Sequence, residues 1–470
     1  MFKAFFTNSF GILTSRIFGF IRDMLQASIL GANIYTDIFI VAFKIPNLFR
    51  RVFAEGAFSQ SFLPQFIKAK KKGVFATQIL KKFILFLLFI SILVTIFSNS
   101  FTRIIATGFS DKIIELASPL VAINFYYLIL VFIVTYFATL LQYKNHFATS
   151  AFSTAILNIT LIFTMLYSKD LSKYQIVYNL SIAVIIGGIL QVLVHIIAIK
   201  KLSIHKLLIA SFMAKKSKKD LIKDDIKEFK SKFLASTIGT STAQISAFLD
   251  GWLASFLVSG SISYLYYANR VFQFPLALFS IAISTAIFPK VARYIKNQNE
   301  LKAKLLLKNS FWFLIIILSI ATITGIIFSK EIVWLLYQRG HFNQNDTQHS
   351  AIILTMYLIG LLPFGLSKIF SLWLYSNHRQ NEAAKISMIS LLFNIILSLL
   401  LIFPLQASGL ALASSLSGFV LFFLTIRAFG IKDFKEIAIS KNLIYLIIFL
   451  AILSFSLISL KEIVDTNFYI

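Results

Sequence analysis

Long apolar runs recur along the whole chain, with shorter polar segments between them. A helix needs about 20 mostly apolar residues to cross the hydrocarbon core of a bilayer. The pattern therefore predicts an all-α polytopic membrane protein with thirteen spans. The predicted spans are 8–30, 35–53, 83–103, 118–141, 149–167, 176–199, 233–258, 264–289, 310–328, 350–374, 384–404, 407–427 and 442–460.

The composition agrees with a lipid environment. Of the 470 residues, 58% are hydrophobic and 14% are charged, and the mean hydropathy is +0.82. A soluble globular chain is about 45–50% apolar and about 25% charged. The chain has no Cys, which excludes a disulfide framework and a thiolate metal site. A disordered chain, a soluble enzyme and a disulfide-stapled secreted fold are therefore poor interpretations.

The basic residues are concentrated in alternate loops between the predicted spans. The net charge is +26, from 45 Lys and Arg against 19 Asp and Glu. With the N-terminus inside, 33 of the 45 basic residues fall in cytoplasmic segments and seven in external ones. This asymmetry follows the positive-inside rule and favours a membrane surface over a nucleic acid as the reason for the charge. We therefore expect a cytoplasmic N-terminus, on a first helix that is retained rather than cleaved.

Residues in the two halves of the chain match at a nearly constant offset. Six spans in each copy predict a parallel repeat of two six-helix lobes around a central cavity. The expected lobes are residues 1–215 and 216–430, followed by one extra helix in 431–470. Chance similarity among Phe- and Ile-rich helices is the alternative. The matching residues are Gly31, Tyr35 and Pro46 with Gly260, Tyr264 and Pro275, and Tyr143–His146 and Asn158 with Tyr375–His378 and Asn394.

Sequence motifs of catalysis are missing from the chain. It contains no GxxxxGK[ST], HExxH or GxSxG motif, and its six His residues are scattered. The pattern favours a transporter over an enzyme. Any energy source is then expected to be an ion gradient or the membrane potential.

Several ionisable residues fall within the predicted spans, where each costs about 2.5–3.5 kcal/mol on insertion scales. Asp37, Lys44 and Arg51 are spaced by seven residues, which places them on one stripe facing the protein interior. Bases outnumber acids in this set, and guanidinium groups bind phosphate through paired hydrogen bonds, so we expect an anionic, phosphate-bearing cargo. Pairing with Asp, or reaching to the interface, is the alternative role. The candidate substrate-binding residues are Arg16, Arg22, Asp23, Asp37, Lys44, Arg50 and Arg270.

Four segments of the sequence are distinctive: SRIFGFIRD, TDIFIVAFKIPNLFRRVFAEGAFSQSFLP, YYANRVFQFP and YQRGHF. They resemble the MurJ (MviN) lipid II flippases, a family of the multidrug/oligosaccharidyl-lipid/polysaccharide exporter superfamily. The resemblance implies a multi-pass protein of the bacterial inner membrane with two six-helix lobes. It implies flipping of lipid II, the undecaprenyl-pyrophosphate-linked disaccharide-pentapeptide, from the cytoplasmic to the periplasmic leaflet by alternating access. The expected partners are lipid II and membrane lipids, and a monomer is expected.

The resemblance also assigns roles to residues. It places the family's cavity arginines at Arg16, Arg22, Arg50 and Arg270, with Asp23 and Asp37 beside them. Some members bind sodium, and matching that pattern puts candidate ligands at Asp250, Asn394 and Ser414. This chain departs from the sodium pattern at Ser398, where the pattern has a second carboxylate, so sodium coupling is an open expectation.

A second departure concerns length, because family members usually have fourteen spans. Only one predicted span follows Arg427, so a groove for the lipid tail would lack one wall and the C-terminus would be periplasmic. Two other functions stay open: a flippase for a different lipid-linked oligosaccharide, and a membrane scaffold for cell-wall enzymes that transports nothing.

Overall fold

A computed structural model describes residues 2–52, 58–212, 222–439 and 441–468. Within these ranges the chain forms helices joined by short turns, with no strand, which confirms the all-α prediction. The contacts among helices divide the chain into two units, Met1–Gly260 and Ser261–Ile470.

The first unit contains eleven helices within its described residues. They are α1 (Phe2–Leu30), α2 (Ile34–Val52), α3 (Phe58–Lys68), α4 (Lys72–Ile96), α5 (Ser98–Ile105), α6 (Asp111–Phe125), α7 (Tyr127–Tyr143), α8 (Ala148–Ser168), α9 (Lys173–Lys201), α10 (Ile204–Phe212) and α11 (Lys223–Ala254).

The second unit contains nine α-helices within its described residues, and a π-helical segment, Leu276–Ile281, joins the first two. They are α12 (Ser261–Pro275), α13 (Ala282–Lys296), α14 (Glu300–Ile327), α15 (Ser329–Tyr337), α16 (Gln344–Ile359), α17 (Leu361–Ser376), α18 (Gln380–Phe429), α19 (Ile431–Ala438) and α20 (Lys441–Phe468).

Nine helical segments in the described ranges are long and apolar enough to cross a membrane. One of them, α18, covers two predicted spans, 384–404 and 407–427, and Gln406 (φ 51°, ψ −133°) interrupts the helix between them, two residues after Pro404. The helices α1, α2 and α11 are not among the nine, and they carry Arg22, Lys44 and Asp250. The predicted third span, 83–103, was wrong at both ends: α4 starts at Lys72 and stops at Ile96, where Phe97 leaves helical geometry.

Small residues let the helices of the first unit approach closely. A Cβ atom on Gly11 of α1 would lie 2.6 Å from the Cβ of Ala151 on α8. A Cβ on Gly188 of α9 would lie 2.8 Å from a ring carbon of Tyr127 on α7. Lipid offers no hydrophobic force between helices, so such close backbone packing is a main source of helix association. These contacts fix α1, α7, α8 and α9 as one bundle.

Buried aromatic rings attach the first half of α11 to the first unit. Phe229 is fully buried, with its ring centroid 5.9 Å from that of Phe58 on α3.

Glu228 precedes Phe229 on α11 and forms ion pairs with Lys232 at 2.9 Å and with Lys68 at 3.2 Å. Hydrogen bonds from Lys232, Gln65 and Lys68 lower the pKa of Glu228 to about 2, so this carboxylate is ionised at neutral pH.

The other end of α11 is held by the turn between α5 and α6. The indole Nε1 of Trp252 donates to Oγ1 of Thr107 at 3.0 Å and to the carbonyl of Ile104 at 3.1 Å. The backbone N–H of Gly108 donates to Oγ of Ser255 at 3.0 Å. The two ends of α11 therefore pack against α3 and against the turn between α5 and α6, which both belong to the first unit. The predicted lobe boundaries at 215/216 and 430/431 stay predictions, because packing contacts do not test a sequence repeat.

Each unit contains a pair of helices joined by a bend. The α6–α7 pair bends at Tyr126, and the α16–α17 pair bends at Gly360. After each pair the chain turns through a left-handed residue, Asn145 (φ 55°) or His378 (φ 58°). The sequence match aligns Asn145 with Asn377. The left-handed residue of the second turn is His378, so the two turns differ from that alignment by one position.

The described residues after Gly430 form the short helix α19 and the long helix α20. Lys461 of α20 lies 3.4 Å from the buried carboxylate of Glu331 on α15 and donates to the carbonyl of Ile327 at 2.7 Å. Asp433 of α19 pairs with Lys304 of α14 at 2.7 Å. The C-terminal region is therefore attached to α14 and α15 by polar contacts at two places.

We predict that Gly108→Ala destabilises the attachment of α11. A Cβ at this position would overlap the backbone of Ser255 and Phe256, and backbone cannot move aside as a flexible side chain can. Overpacking of this kind costs about 1–3 kcal/mol, which a lower thermal unfolding temperature in detergent would report. Ser110→Ala is the control, since Ser110 is exposed and makes no side-chain cap bond. Equal unfolding temperatures for the two variants would contradict the prediction.

Candidate functional site

The guanidinium of Arg22 lies buried in the middle of α1, beside a carboxylate and an amide. Its Nε and Nη2 donate to Oδ1 of Asp23 at 3.1 and 2.5 Å. Its Nη1 donates to Oδ1 of Asn158 on α8 at 3.0 Å. Arg22 is 9% exposed and Asp23 is 2% exposed. The sequence predicted a cationic Arg22, and the structure shows that Asp23 compensates much of this charge in place.

The amide of Asn158 connects Arg22 to the packing of α1 on α8. Its Nδ2 donates to the carbonyl of Ser15 at 3.1 Å, and Oγ of Ser15 donates to the carbonyl of Ala151 at 3.0 Å. A Cβ on Gly19 would lie 3.3 Å from Nδ2 of Asn158. A glycine at this position therefore leaves room for the amide that orients the guanidinium.

Asp37 and Lys44 both lie on α2, and the structure turns both toward protein. Asp37 is 2% exposed, and its Oδ2 accepts a hydrogen bond from the backbone N–H of Gly260 at 2.7 Å. Lys44 is half-buried, with its ammonium against Gly251 of α11, where a Cβ would overlap it. Asp37 and Lys44, two of the three residues of the predicted stripe, thus face the protein interior. The side chains of Arg51 and of Arg50 lie outside the described residues.

Arg16 differs from Arg22, although both lie on α1. The side chain of Arg16 is exposed. An exposed side chain of this length can carry its guanidinium toward the membrane surface or toward a ligand. Its predicted role in substrate binding stays a prediction.

Arg270 belongs to the second unit, on α12. It is half-buried, its Nη2 donates to the hydroxyl of Tyr266 at 3.0 Å, and its guanidinium carbon lies 4.9 Å from the centre of that ring. The aromatic face and hydroxyl of a residue one turn earlier on the same helix therefore hold the guanidinium in place. Tyr266 is a partner that the sequence did not indicate.

The three candidate sodium ligands fall in different units. Asp250 is on α11 in the first unit, whereas Asn394 and Ser414 are on α18 in the second. Nδ2 of Asn394 donates to Oγ of Ser414 at 3.1 Å. Ser398, one turn after Asn394, is buried and its hydroxyl has no hydrogen-bond partner among the described residues.

Within the second unit this arrangement supplies neutral oxygens only, at a place where a hard cation favours carboxylates. Among the described residues no group of three or more His, Cys, Asp or Glu could hold a metal ion. The residues of this unit therefore do not by themselves fit a sodium site, and sodium binding stays an untested expectation of the resemblance.

The sequence is similar to those of known proteins over most of its length. The family model described as "Lipid II flippase MurJ" matches residues 26–470. The chain belongs to this family. A relative from Helicobacter pylori (strain ATCC 700392 / 26695), named "Probable lipid II flippase MurJ", is 48% identical over 427 residues, which cover 89% of this chain and 92% of the relative. A relative of the same name from Aquifex aeolicus (strain VF5) is 32% identical, covering 86% and 78% of the two chains.

Solved structures of the MurJ type and of related transporters share this fold. A structure titled "Lipid II flippase MurJ, inward closed conformation" matches with a TM-score of 0.78 and 24% identity, covering 98% of this chain and 99% of its own. An inward-facing multidrug resistance MATE transporter of the MOP superfamily matches with a TM-score of 0.68 and 10% identity, covering 89% and 94%. The chain therefore has the fold that these MurJ and MATE transporter structures share.

Sequence reasoning did not identify Asn158 as the partner of Arg22. A signal was present, because a polar amide inside an apolar span is a functional candidate by default. Asn158 also recurs in the repeat as Asn394, and both amides are buried and hydrogen-bonded to other parts of their own unit. The backbone N–H of Gly260 could not have been found, since no side chain marks it in the sequence.

We predict that Asp37→Ala destabilises the first unit. The substitution leaves the buried N–H of Gly260 without its acceptor, and an unsatisfied buried donor costs about 1–3 kcal/mol. The thermal unfolding temperature of the purified protein measures this cost. Asp111→Ala is the matched control, because Asp111 forms an exposed ion pair with Arg103 that contributes about 0–1 kcal/mol. An Asp37→Ala protein as stable as wild type would show that this hydrogen bond has no structural role.

Proposed function

We propose that this chain flips lipid II across the bacterial inner membrane by alternating access. The observation that carries the proposal is membership of the MurJ family over residues 26–470, with relatives named as probable lipid II flippases at up to 48% identity. The cargo is the undecaprenyl-pyrophosphate-linked disaccharide-pentapeptide. The chain acts on it as a transporter and not as an enzyme.

The buried cationic groups support a diphosphate cargo. Arg22 and Arg270 lie on α1 and α12, and each is held by neighbouring side chains in an orientation set by its own unit. A guanidinium binds phosphate through two parallel hydrogen bonds, which a lysine cannot imitate. We propose that each of the two arginines binds a phosphate of the lipid headgroup during the transport cycle.

The ion pair of Arg22 suggests how it takes and releases phosphate. Asp23 accepts two hydrogen bonds from the guanidinium, which is the same pattern that a phosphate oxygen would accept. An incoming phosphate exchanges with Asp23 for these donors, while Asn158 keeps the guanidinium in place. Because the resting pair is already compensated, Arg22 is never left as an isolated charge in the bilayer.

The remaining candidate residues have supporting parts in this proposal. Arg16, Lys44 and Arg50 add positive charge that attracts the headgroup, and Asp37 holds the start of α2 through Gly260. The excess of basic residues in alternate loops supports a cytoplasmic N-terminus. We expect the protein to work as a monomer. Sodium binding stays a prediction and has no part in the steps described above.

We predict that Arg270→Ala abolishes lipid II flipping without loss of protein. Removing the guanidinium deletes charge-assisted hydrogen bonds that each contribute about 1.5–3 kcal/mol, so the rate falls at least about tenfold. The measurement is exposure of the lipid II headgroup to a periplasmic probe in a flippase-depleted strain that expresses the variant, with membrane abundance checked by immunoblot.

Two comparisons give this experiment its controls. Arg103→Ala removes an exposed arginine paired with Asp111 and should flip lipid II as wild type does. Full flipping by Arg270→Ala would refute the phosphate-binding role of Arg270. Failure of the wild-type chain to rescue the strain would refute lipid II as cargo and point to another lipid-linked oligosaccharide.

A further inference from the structure

A cavity of about 260 Å³ lies inside the first unit, apart from the arginine residues described above. It is lined by residues of α3, α7, α8 and α9 and of the turn between α7 and α8. A typical small-molecule site has a volume of about 300–1,000 Å³. The cavity can therefore hold one ring-sized group, and it is too small for a whole disaccharide-pentapeptide.

The lining combines polar and apolar groups and contains no acidic residue, lysine or arginine. Ten of the fourteen described lining residues have a hydrogen-bonding side chain, and none of the fourteen is Asp, Glu, Lys or Arg. The apolar members include the ring of Phe147 and the methyl group of Ala138. Hydroxyls, amides, an imidazole and aromatic rings together suit a neutral ligand that has both hydroxyl groups and C–H faces.

Side chains around the cavity are fixed by hydrogen bonds to one another. The hydroxyls of Ser59 and Thr139 lie 2.7 Å apart. The hydroxyl of Tyr127 donates to Oε1 of Gln191 at 3.1 Å, and Nε2 of Gln191 donates to the backbone carbonyl of Ser153 at 2.8 Å. These bonds link α7, α8 and α9, so the shape of the cavity is set by the fold before any ligand arrives.

One buried group in the lining has no protein partner. Ser153 is 3% exposed, and its Oγ makes no hydrogen bond within the described chain. A buried hydroxyl without a hydrogen bond costs roughly 1–3 kcal/mol, and the penalty disappears when a ligand or water supplies the partner. A polar group that enters the cavity can therefore supply the hydrogen bond that the hydroxyl of Ser153 lacks.

We propose that this cavity binds a sugar ring of the cargo, an inference that rests on the proposed function. Thr154 lines the cavity and lies one helical turn before Asn158, the residue that holds Arg22. Four residues of helix span about 6 Å. A phosphate at Arg22 and a sugar attached to that phosphate can therefore be held along one face of α8. The arginines recognise the diphosphate, and the cavity recognises the sugar.

The variant that tests the proposal is Ala138→Leu. Ala138 contributes a methyl group to the lining and no hydrogen bond, so a larger side chain fills the cavity without breaking the polar network. Ser153→Ala is a second variant, which removes the unpartnered hydroxyl and preserves the volume. Ala138→Ser and Ala451→Leu are controls, because the first keeps the cavity open and the second adds the same bulk on an exposed position of α20.

The purified proteins are titrated with two lipids, lipid II and undecaprenyl pyrophosphate, and bound lipid is counted by native mass spectrometry. We expect Ala138→Leu to weaken lipid II binding at least tenfold and Ser153→Ala to weaken it about threefold. Binding of undecaprenyl pyrophosphate, which has no sugar, should be unchanged in both variants and shows that they are folded. Both controls should bind the two lipids as wild type does.

The outcomes separate the cavity from the transport proposal. If wild type binds lipid II and Ala138→Leu binds it equally well, the cavity holds only water and the inference is wrong. If both lipids bind more weakly to Ala138→Leu, the substitution has damaged the phosphate site, and Ser153→Ala alone decides. If wild type does not prefer lipid II over the sugar-free lipid, the cavity proposal fails, whereas loss of binding to both lipids overturns the proposed function itself.

Discussion

Burial of a guanidinium among the packed helices of the first unit is the constraint on which this structure depends. An ionised group removed from water needs a partner of opposite charge and hydrogen bonds for its remaining donors. Arg22 obtains both, from the adjacent carboxylate of Asp23 and from the amide of Asn158. Because Asn158 lies on α8, this requirement brings α1 and α8 together, and the glycines of α1 make the approach possible.

The architecture of the chain was predictable from periodicity and charge. Apolar runs predicted an all-α membrane protein, because lipid allows few structures other than helices to cross a membrane. The breaks inside spans were less predictable. Phe97 ends α4 and Gln406 divides α18 through backbone geometry that no residue type at those positions demands.

The candidate site was predictable in its residue types and not in its partners. Charged residues inside apolar spans identified Arg22, Asp37 and Arg270. Their hydrogen-bond partners come from distant parts of each unit, or from backbone such as the N–H of Gly260, which the sequence does not mark. The neutral cavity around Ser153 was also missed, since serines and threonines spread over three helices show no pattern until the helices pack.

Phosphate binding by Arg22 is the central claim, and proximity between nitrogen and phosphorus tests it most directly. The protein is labelled with ¹⁵N-arginine, purified in a phosphate-free detergent and loaded with undecaprenyl pyrophosphate, and ¹⁵N–³¹P dipolar dephasing is measured by solid-state NMR. The account predicts dephasing of guanidinium nitrogens that is reduced in Arg22→Gln and unchanged in Arg103→Gln. Equal dephasing in wild type and Arg22→Gln would contradict it.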